Sequence, residues 1–392
     1  EFGAKWEGSL WAPETGDYEI IIRTENAARL FLNQMEAPLI DAWVRSGTDT
    51  EFRASIKLLG GRIYPLRLEY FKFNEKSASI SLRWKPPYRQ EEVIPTRCLL
   101  PIGSRETFVV QTPFPPDDRS VGYERGSAIS KAWTAATLDA AIETVEYVAP
   151  RMRRIARVNL DDPNDDSNLR QFCRRFAERA FRRPLSDAES AFYVDRAMDG
   201  APDLETALKR SLLLILKSPR FLYREPEGDE SQFATASKLA FAMWDAPPDR
   251  ALWEAATRGE LNSRNELVAH AQRMLKSPRT RAKLREFFEK WLKLEQLHDV
   301  GKDPQRFPDF TPEIASDLRT SLHLWIDEIV WSNRPDYRRL FNEDFLFLNG
   351  RLAAFYGVEL PPDADFFMVR YEPELRAGVL THPYLLAGFS YS

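Results

Sequence analysis

The residue types that could do chemistry are spread thinly along this sequence. His323 and Asp327 are four residues apart on a predicted helix, and Glu328 follows directly. Because positions i and i+4 share one face of a helix, a histidine and a carboxylate there could bind a metal. The other three histidines lie far from this pair in sequence. A local helical ion pair between His323 and Asp327 is therefore the prediction that we favour, and no firm metal site is predicted.

A second group of candidate ligands is the acidic run NLDDPNDDSN at 159–168. Its aspartate and asparagine oxygens are of the kind that calcium takes. The run lacks the Asp-x-Asp-x-Asp-Gly spacing of a helix-loop-helix calcium site. A solvated loop, with Ser167 or Asp166 capping the next helix, is the favoured alternative.

The helix predicted to follow that run, FCRRFAERAFRRP at 172–184, carries five arginines. Its apolar spacing predicts a buried stripe, with four arginines facing outward or sideways: Arg174, Arg175, Arg179 and Arg182. They could dock an acidic partner or an anionic polysaccharide. The alternative that we favour is pairing with the nearby acidic loop.

Other signatures of catalysis or cofactor attachment are not found in the sequence. It has no Ser-His-Asp order, nucleophile elbow or phosphate loop. It also has no C-x-x-C-H haem motif and no Cys/His cluster with zinc spacing. The only cysteines, Cys98 and Cys173, leave open one disulfide or two buried thiols, of which the thiols are favoured. No cofactor is predicted within the chain on these grounds.

Composition sets the broad class of protein. A chain of 392 residues that is 43% hydrophobic and 12% aromatic is long enough for two or three domains with large cores. The net charge of −4 argues against a nucleic-acid partner. The longest aliphatic run, 212–216, is too short for a transmembrane segment.

The hydrophobic period changes along the chain. Residues 1–101 alternate apolar and polar positions in short runs, such as GDYEIIIRT and SASISLRWK, which is typical of antiparallel strands. From about 133 onward the period is helical, with Ser186–Glu189 and Ser263–Glu266 as capping boxes. The fold class predicted is multidomain β + α: an antiparallel β-sandwich followed by an all-α helical domain.

The stretch LWAPETGDYEIIIRTENAARLFLNQMEAPLIDAW at 10–43 resembles the protective-antigen-type β-sandwich of toxins, adhesins and glycosidases. The resemblance covers about 1–101, apparently without the family's first strands, and its matching residues are Pro13, Gly16, Tyr18, Arg29, Leu30 and Trp43. In sugar-binding adhesins of that family, two adjacent aspartates hold a calcium ion that contacts sugar hydroxyls. Glu25 and Asn26 stand at that point here, and Asn33-Gln34 replaces an Asp-Gly turn.

The resemblance implies carbohydrate or a cell-surface protein as partner, with calcium as a candidate cofactor at Glu25 and Asn26. The candidate carbohydrate-binding residues are Glu25, Asn26, Asn33, Asp41 and Trp43. Three alternatives stay open: a calcium-dependent lectin site, a calcium-free sugar surface using Trp43, and a sandwich that only packs or interacts, which we favour. For Trp43 itself, a core position at the end of a strand is the interpretation that we favour.

Several later motifs resemble large extracytoplasmic proteins of planctomycetes. They are PFPPDDRSVGYERG at 113–126, LRQFCRRFAERAFRRPLSDAE at 169–189, SLLLILKSPRFLYR at 211–224, FLNGRLAAFYGVELP at 347–361 and RAGVLTHPYLLAGFSYS at 376–392. Those proteins join helical domains to cytochrome-c-like segments. The resemblance implies a periplasmic, cell-surface or secreted location. It also implies haem c in a C-terminal part missing from this chain, together with a redox partner.

Five segments are predicted: a sandwich at 1–101, a proline-rich joint at 102–132, helical parts at 133–230 and 231–375, and the start of a cytochrome-associated domain at 376–392. In the joint, salt bridges and aromatic packing are predicted to hold the halves together, and a ligand site at a domain interface is the alternative. The residues proposed for the joint are Phe114, Asp117, Asp118, Arg119, Tyr123, Glu124 and Arg125.

The leading functional hypothesis is a binding and scaffold segment of a larger, haem-bearing electron-transfer protein, whose sandwich binds carbohydrate or a surface partner. One alternative is a cytochrome-linked oxidoreductase acting on polysaccharide or another extracellular substrate. Another is a structural element of a cell-surface assembly. A buried polar pocket among the helices would favour the enzyme, whereas helices packed without one would favour the scaffold.

Overall fold

The computed structural model describes residues 1–44, 48–73, 77–101, 103–115, 130–223, 231–297, 299–371 and 376–390. The chain divides into two compact units. One unit comprises Glu1–Glu106 together with Arg281–Ser392, and the other comprises Thr107–Thr280. The predicted fold class, β-sandwich followed by helices, is confirmed.

The first hundred residues form two antiparallel sheets. Their strands are β1 (Phe2–Trp11), β2 (Gly16–Thr24), β3 (Ala27–Leu32), β4 (Ile40–Ala42), β5 (Glu51–Leu58), β6 (Ile63–Lys72), β7 (Ile80–Lys85), β8 (Glu92–Val93) and β9 (Leu99–Leu100). One sheet has the order β4-β3-β6-β1-β9 and the other β5-β2-β7-β8. Tyr18, Leu30 and Trp84 are among the side chains buried in this part of the chain.

The Thr107–Thr280 unit is helical in its described residues. Its helices are α1 (Lys131–Val148), α2 (Met152–Ala156), α3 (Asp166–Phe181), α4 (Asp187–Ser190), α5 (Arg196–Met198), α6 (Leu204–Leu216), α7 (Pro219–Leu222), α8 (Gln232–Trp244), α9 (Arg250–Thr257) and α10 (Arg264–Leu275). The predicted capping box at Ser186 and Glu189 is present, with both of its hydrogen bonds formed. Both cysteines are free thiols and buried, Cys98 in the first unit and Cys173 in α3.

Two details of the predicted arginine helix are wrong. Arg182 does not face outward: it is 3% exposed, because α3 ends there in a left-handed turn (φ 63°) that directs its guanidinium onto backbone carbonyls. Neither Ser167 nor Asp166 caps α3, since the residue before the helix is Asp165, whose carboxylate accepts from the Asn159 amide at 2.6 Å.

The predicted pairing of the outward arginines with the acidic loop is wrong for Arg174, whose partner Asp195 lies beyond that loop, and it is Arg170, one turn earlier, that pairs with the loop. Arg170 bonds Asp166 of the acidic run at 2.9 Å and Asp199 at 3.0 Å. Arg174 bonds Asp195 at 2.7 Å. These two arginines of α3 are therefore paired within their own unit.

The C-terminal helices and a two-stranded antiparallel sheet complete the first unit. They are α11 (Pro278–Trp291), α12 (Pro312–Val330), α13 (Arg339–Asn342), β10 (Phe345–Leu348), α14 (Gly350–Tyr356), β11 (Phe367–Arg370) and α15 (Pro383–Phe389). The predicted apolar face of α12 is buried: Leu318, Leu322, Trp325, Ile326 and Ile329. The same helix also buries polar residues, among them Arg319, Thr320 and His323, and these lie beside the sandwich.

Candidate functional site

The predicted calcium candidates lie in the turn between β2 and β3. Asn26 is fully buried, and its side-chain Nδ2 donates to the Ser77 carbonyl at 3.3 Å, while its backbone amide donates to Thr24 Oγ1 at 3.0 Å. The Glu25 carboxylate accepts a hydrogen bond from the Ser77 hydroxyl. The turn thus uses Asn26 to hold the chain rather than to face solvent.

The described side chains at this turn offer two candidate oxygen ligands for a calcium ion. Asn26 Oδ1 is buried without a hydrogen-bond partner in the described residues, and Glu25 supplies the neighbouring carboxylate. Calcium takes six to eight oxygens. Within the described ranges, no three His, Cys, Asp or Glu side chains come together in a way that could hold a metal. Calcium at Glu25 and Asn26 stays a prediction, and the function proposed below does not depend on it.

Asn33 and Asp41 have separate structural roles. Asn33 takes a left-handed conformation (φ 66°), which an asparagine tolerates in a turn, and its amide donates to the Pro65 carbonyl at 2.8 Å. Asp41 on β4 accepts from the Trp43 amide and from Arg29 Nε, each at 3.1 Å. The Trp43 backbone bond, followed by the Arg29 contacts, lowers the pKa of Asp41 below its ordinary value.

Trp43 belongs to an aromatic surface on the outer face of the first sheet. The Arg29 guanidinium lies 4.8 Å from the centre of the Trp43 ring. The rings of Trp43 and Phe71 are 6.2 Å apart, and those of Phe71 and Phe73 are stacked at 6.4 Å. We call Arg29, Asp41, Trp43, Phe71 and Phe73 the Trp43 patch.

Strand register explains why the Trp43 patch is open. Ala27 pairs with Phe71 on one side, and Gly3 pairs with Phe71 on the other. Small residues therefore flank the Phe71 ring across the sheet, and 53% of Phe73 is exposed. Trp43 itself is half-buried beside Arg29 and Phe71, so the favoured core position for it is wrong. The structure brings Asp41 and Trp43 together, whereas Asn26 is directed inward.

A second polar cluster lies between the sandwich and the helices of the same unit. Arg89, in the segment after β7, donates to Thr320 Oγ1 at 3.0 Å, lies 2.9 Å from His323 Nδ1, and is hydrogen-bonded to the Glu14 carboxylate. His323 Nε2 lies 2.6 Å from the Glu289 carboxylate of α11. Arg319 also donates to Glu289, at 2.8 Å. We call Glu14, Arg89, Glu289, Arg319 and His323 the buried ion network.

The charges in this network stabilise one another. Burial alone would raise the pKa of Glu14, but Arg89, His323 and Arg319 hold it well below its ordinary value. Burial likewise opposes ionisation of Glu289, and its contacts with His323 and Arg319 lower its pKa all the same. Burial acts to lower the pKa of Arg89, and Glu14 and Glu92 raise it instead. The carboxylates and guanidinium groups of the network are therefore ionised while largely excluded from water.

The predicted ion pair between His323 and Asp327 is wrong. His323 contacts Glu289 and Arg89, and Asp327 accepts from Arg285 of α11 at 2.7 Å. The reason is that α11 lies alongside α12 and offers both side chains partners from another helix. Sequence spacing within one helix could not reveal these partners.

A cavity of about 430 Å³ adjoins the network in the same unit. Its walls come from the sandwich, including Trp11, Trp84 and Arg97, and from the helices α11 and α12. Tryptophan rings and ionised groups share this lining. This pocket is polar, as the enzyme hypothesis requires, but it is partly open to solvent, since Arg281 and Glu328 in its lining are exposed.

Of the seven residues proposed for the joint, only Phe114 falls within the described residues. Its ring lies 5.2 Å from that of Trp133 and is 43% exposed. The remaining residues proposed for the joint lie outside the described ranges: Asp117, Asp118, Arg119, Tyr123, Glu124 and Arg125. Their predicted salt bridges stay a prediction.

Known family models match three separate parts of the chain. Residues 1–97 match the PA14 domain, 168–225 match the family "Protein of unknown function (DUF1595)", and 231–358 match "Protein of unknown function (DUF1592)". The protective-antigen-type sandwich predicted from the sequence is thereby confirmed. This combination of domains is the one found in planctomycete cytochrome-associated proteins. None of the helices in the described ranges has the length and apolarity that a membrane span requires.

Individual relatives match only a part of the chain. The anti-sigma-I factor RsgI3 of Acetivibrio thermocellus is 28% identical over 99 residues, which are 25% of this chain and 15% of that protein. An anti-sigma factor domain-containing protein of solved structure is 28% identical, with 25% of this chain and 33% of that chain covered and a TM-score of 0.23. A second, from Clostridium clariflavum, is 24% identical, with 28% and 36% covered and a TM-score of 0.23.

Proposed function

We propose that the sandwich is a carbohydrate-binding module of an extracytoplasmic multidomain protein, and that the Trp43 patch is its contact surface. The PA14 match over 1–97 supports a binding role for this part of the chain. Aromatic rings pack against the apolar faces of sugar rings, while charged side chains exchange hydrogen bonds with sugar hydroxyls. The Trp43 patch offers both kinds of contact on one sheet face.

The observation that carries this proposal is the arrangement of Trp43 beside the Arg29–Asp41 pair. Arg29 is held by Asp41 at 3.1 Å and lies 4.8 Å from the Trp43 ring, so both groups are oriented before a ligand arrives. Orientation in advance lowers the entropy cost of binding. Phe71 and Phe73 extend the apolar surface beyond a single ring.

Retention on insoluble polysaccharides tests the proposal. Cellulose, chitin, xylan and cross-linked pectin are incubated with the chain, with and without EDTA. Retention by at least one of them that persists in EDTA is expected. If EDTA abolishes retention, the polysaccharide is bound through a calcium site near Glu25 rather than by the Trp43 patch alone. If no polysaccharide retains the chain, a cell-surface protein is favoured as the partner.

We further propose that the chain serves a haem-bearing electron-transfer protein as its binding and scaffold segment. Support comes from the three matched domains and their association with cytochrome-containing proteins. The intact mass and visible spectrum of the protein from its native source test this point. A mass above 45.4 kDa with a Soret band is expected. A mass equal to that of this chain, with no visible absorption, would contradict the electron-transfer role.

The polar cavity favours one second candidate, a cytochrome-linked oxidoreductase acting on polysaccharide. Its lining combines ionised groups, a histidine and tryptophan rings, which is typical of small-molecule sites. Polysaccharide-dependent reduction of added cytochrome c by the native protein would support this activity. If none of the four polysaccharides leads to reduction of cytochrome c, the oxidoreductase hypothesis is contradicted and only the binding role is supported.

A further inference from the structure

The cavity beside the buried ion network differs from the Trp43 patch in both position and charge. It is lined by residues of the sandwich and by α11 and α12, and its volume of about 430 Å³ is within the usual range for small-molecule sites. Four arginines contribute to the lining: Arg89, Arg97, Arg281 and Arg285. Three carboxylates do so as well: Glu92, Asp327 and Glu328.

Most of these charges already have partners. Arg89 is bonded to Glu14, Arg285 to Asp327 at 2.7 Å, and Glu92 accepts from Trp84 Nε1 at 3.0 Å. Arg281 differs, because it has no carboxylate partner within the part of the chain that the structure describes. Its guanidinium lies 5.1 Å from the centre of the Trp331 ring. The lining therefore has an unneutralised guanidinium positioned over an aromatic ring.

Two buried N–H groups in the cavity wall also lack acceptors. They are Trp11 Nε1 and Arg89 Nε, neither of which has a hydrogen-bond partner among the described residues. Buried donors without acceptors are costly, so an acceptor brought by a ligand or by water would stabilise this wall. The lining therefore combines two unsatisfied donors with one arginine, Arg281, that has no described carboxylate partner.

We propose that this cavity binds a carboxylate-bearing saccharide, a uronate. The Arg281 guanidinium provides the charge for the ligand's carboxylate, and Glu328 is an acceptor for its hydroxyls. The Trp331 ring suits the apolar face of a sugar. A multiply charged phosphate fits less well, because Glu92, Asp327 and Glu328 lie in the same lining.

Isothermal titration calorimetry tests the proposal by comparing the binding of digalacturonate with the binding of maltose, a neutral disaccharide. Wild-type protein is expected to bind digalacturonate at least about tenfold more tightly than maltose. Arg281→Gln should remove that preference, and Arg281→Lys should restore part of it. Arg196→Gln is the matched control, because Arg196 lies over the Phe192 ring at 5.8 Å and does not line this cavity.

Several outcomes would overturn the proposal. They are no binding of digalacturonate, equal binding of the two disaccharides, unchanged binding by a folded Arg281→Gln variant, and competition by inorganic sulfate as strong as by digalacturonate. Trp43→Ala separates this site from the proposed function. If Trp43→Ala loses polysaccharide retention but binds digalacturonate as the wild type does, the two sites are independent. Either proposal can then be contradicted without affecting the other.

Discussion

Arg89 and His323 are 234 residues apart in the sequence, and their side chains lie 2.9 Å from each other. Arg89 belongs to the segment that follows β7, and His323 to α12. Glu14, which completes the contact, lies in the turn between β1 and β2, where the Tyr18 hydroxyl donates to its backbone carbonyl at 2.9 Å. A PA14-type turn thus places a carboxylate against a distant helix. The sandwich and the C-terminal helices consequently share one buried ion network.

Loss of Arg89 should destabilise this unit strongly. In Arg89→Met, the Glu14 carboxylate stays buried and loses the guanidinium that keeps it ionised. Removing one partner of a buried ion pair typically costs about 3–5 kcal/mol. Urea denaturation followed by tryptophan fluorescence should show a lower midpoint.

The matched control is an exposed ion pair in the same unit. Arg338 donates to Asp336 at 2.6 Å, and 73% of its side chain is exposed. Arg338→Met should leave the urea midpoint unchanged, because solvent screens such pairs. Equal midpoints for Arg89→Met and Arg338→Met would show that the buried network does not stabilise the fold.

His382 should make stability depend on pH between about 3 and 6.5. Burial, aided by the charges of Arg376 and His323, lowers the pKa of His382 from 6.5 to about 3. The unfolded chain binds a proton in this window and the folded chain does not, so the free energy of unfolding falls as the pH falls. From pH 7 to pH 5 the expected loss is about 2 kcal/mol. Glu14 and Glu289 stay ionised at pH 5, because their pKa values are lowered from 4.5.

The variant His382→Asn tests this titration directly. His382 Nδ1 accepts from the Tyr384 amide at 3.3 Å at the start of α15, and asparagine can take over that acceptor role. In His382→Asn, the free energy of unfolding should differ between pH 7 and pH 5 by less than in the wild type, and most of the expected change of about 2 kcal/mol should disappear. An unchanged pH dependence in His382→Asn would mean that another group titrates.

Arg182 should be irreplaceable by lysine. Its guanidinium donates to the carbonyls of Arg220 and Tyr223, each at 2.7 Å, and also to those of Ala180 and Phe221. An ammonium group cannot reproduce this planar fork. Arg182→Lys should lower the free energy of unfolding by about 2 kcal/mol. Arg175→Lys, at an exposed position on the same helix, is the control, and an equal effect of the two substitutions would contradict this role.

Local patterns predicted the elements well. Alternation indicated the strands of the sandwich, and the Ser186–Glu189 spacing predicted a capping box that is present. The buried ion network was missed because Glu14, Arg89 and His323 come from distant segments. Within the Trp43 patch, Asp41 and Trp43 were predicted, whereas Phe71 joins them only through the register that pairs it with Ala27. Asn26 was predicted to face a ligand, but its bond to the Ser77 carbonyl turns it inward.

The central claim is that the Trp43 patch binds carbohydrate, and a comparison of two tryptophan variants tests it most directly. Trp43→Ala and Trp6→Ala are titrated against the polysaccharide that retains the wild type best. Trp6 pairs with Leu68 on β6 and is 47% exposed on the other face of the same sheet, so it is a matched control. Trp43→Ala should weaken retention about tenfold or more, with Trp6→Ala unchanged. Undiminished retention by a folded Trp43→Ala variant would contradict the claim.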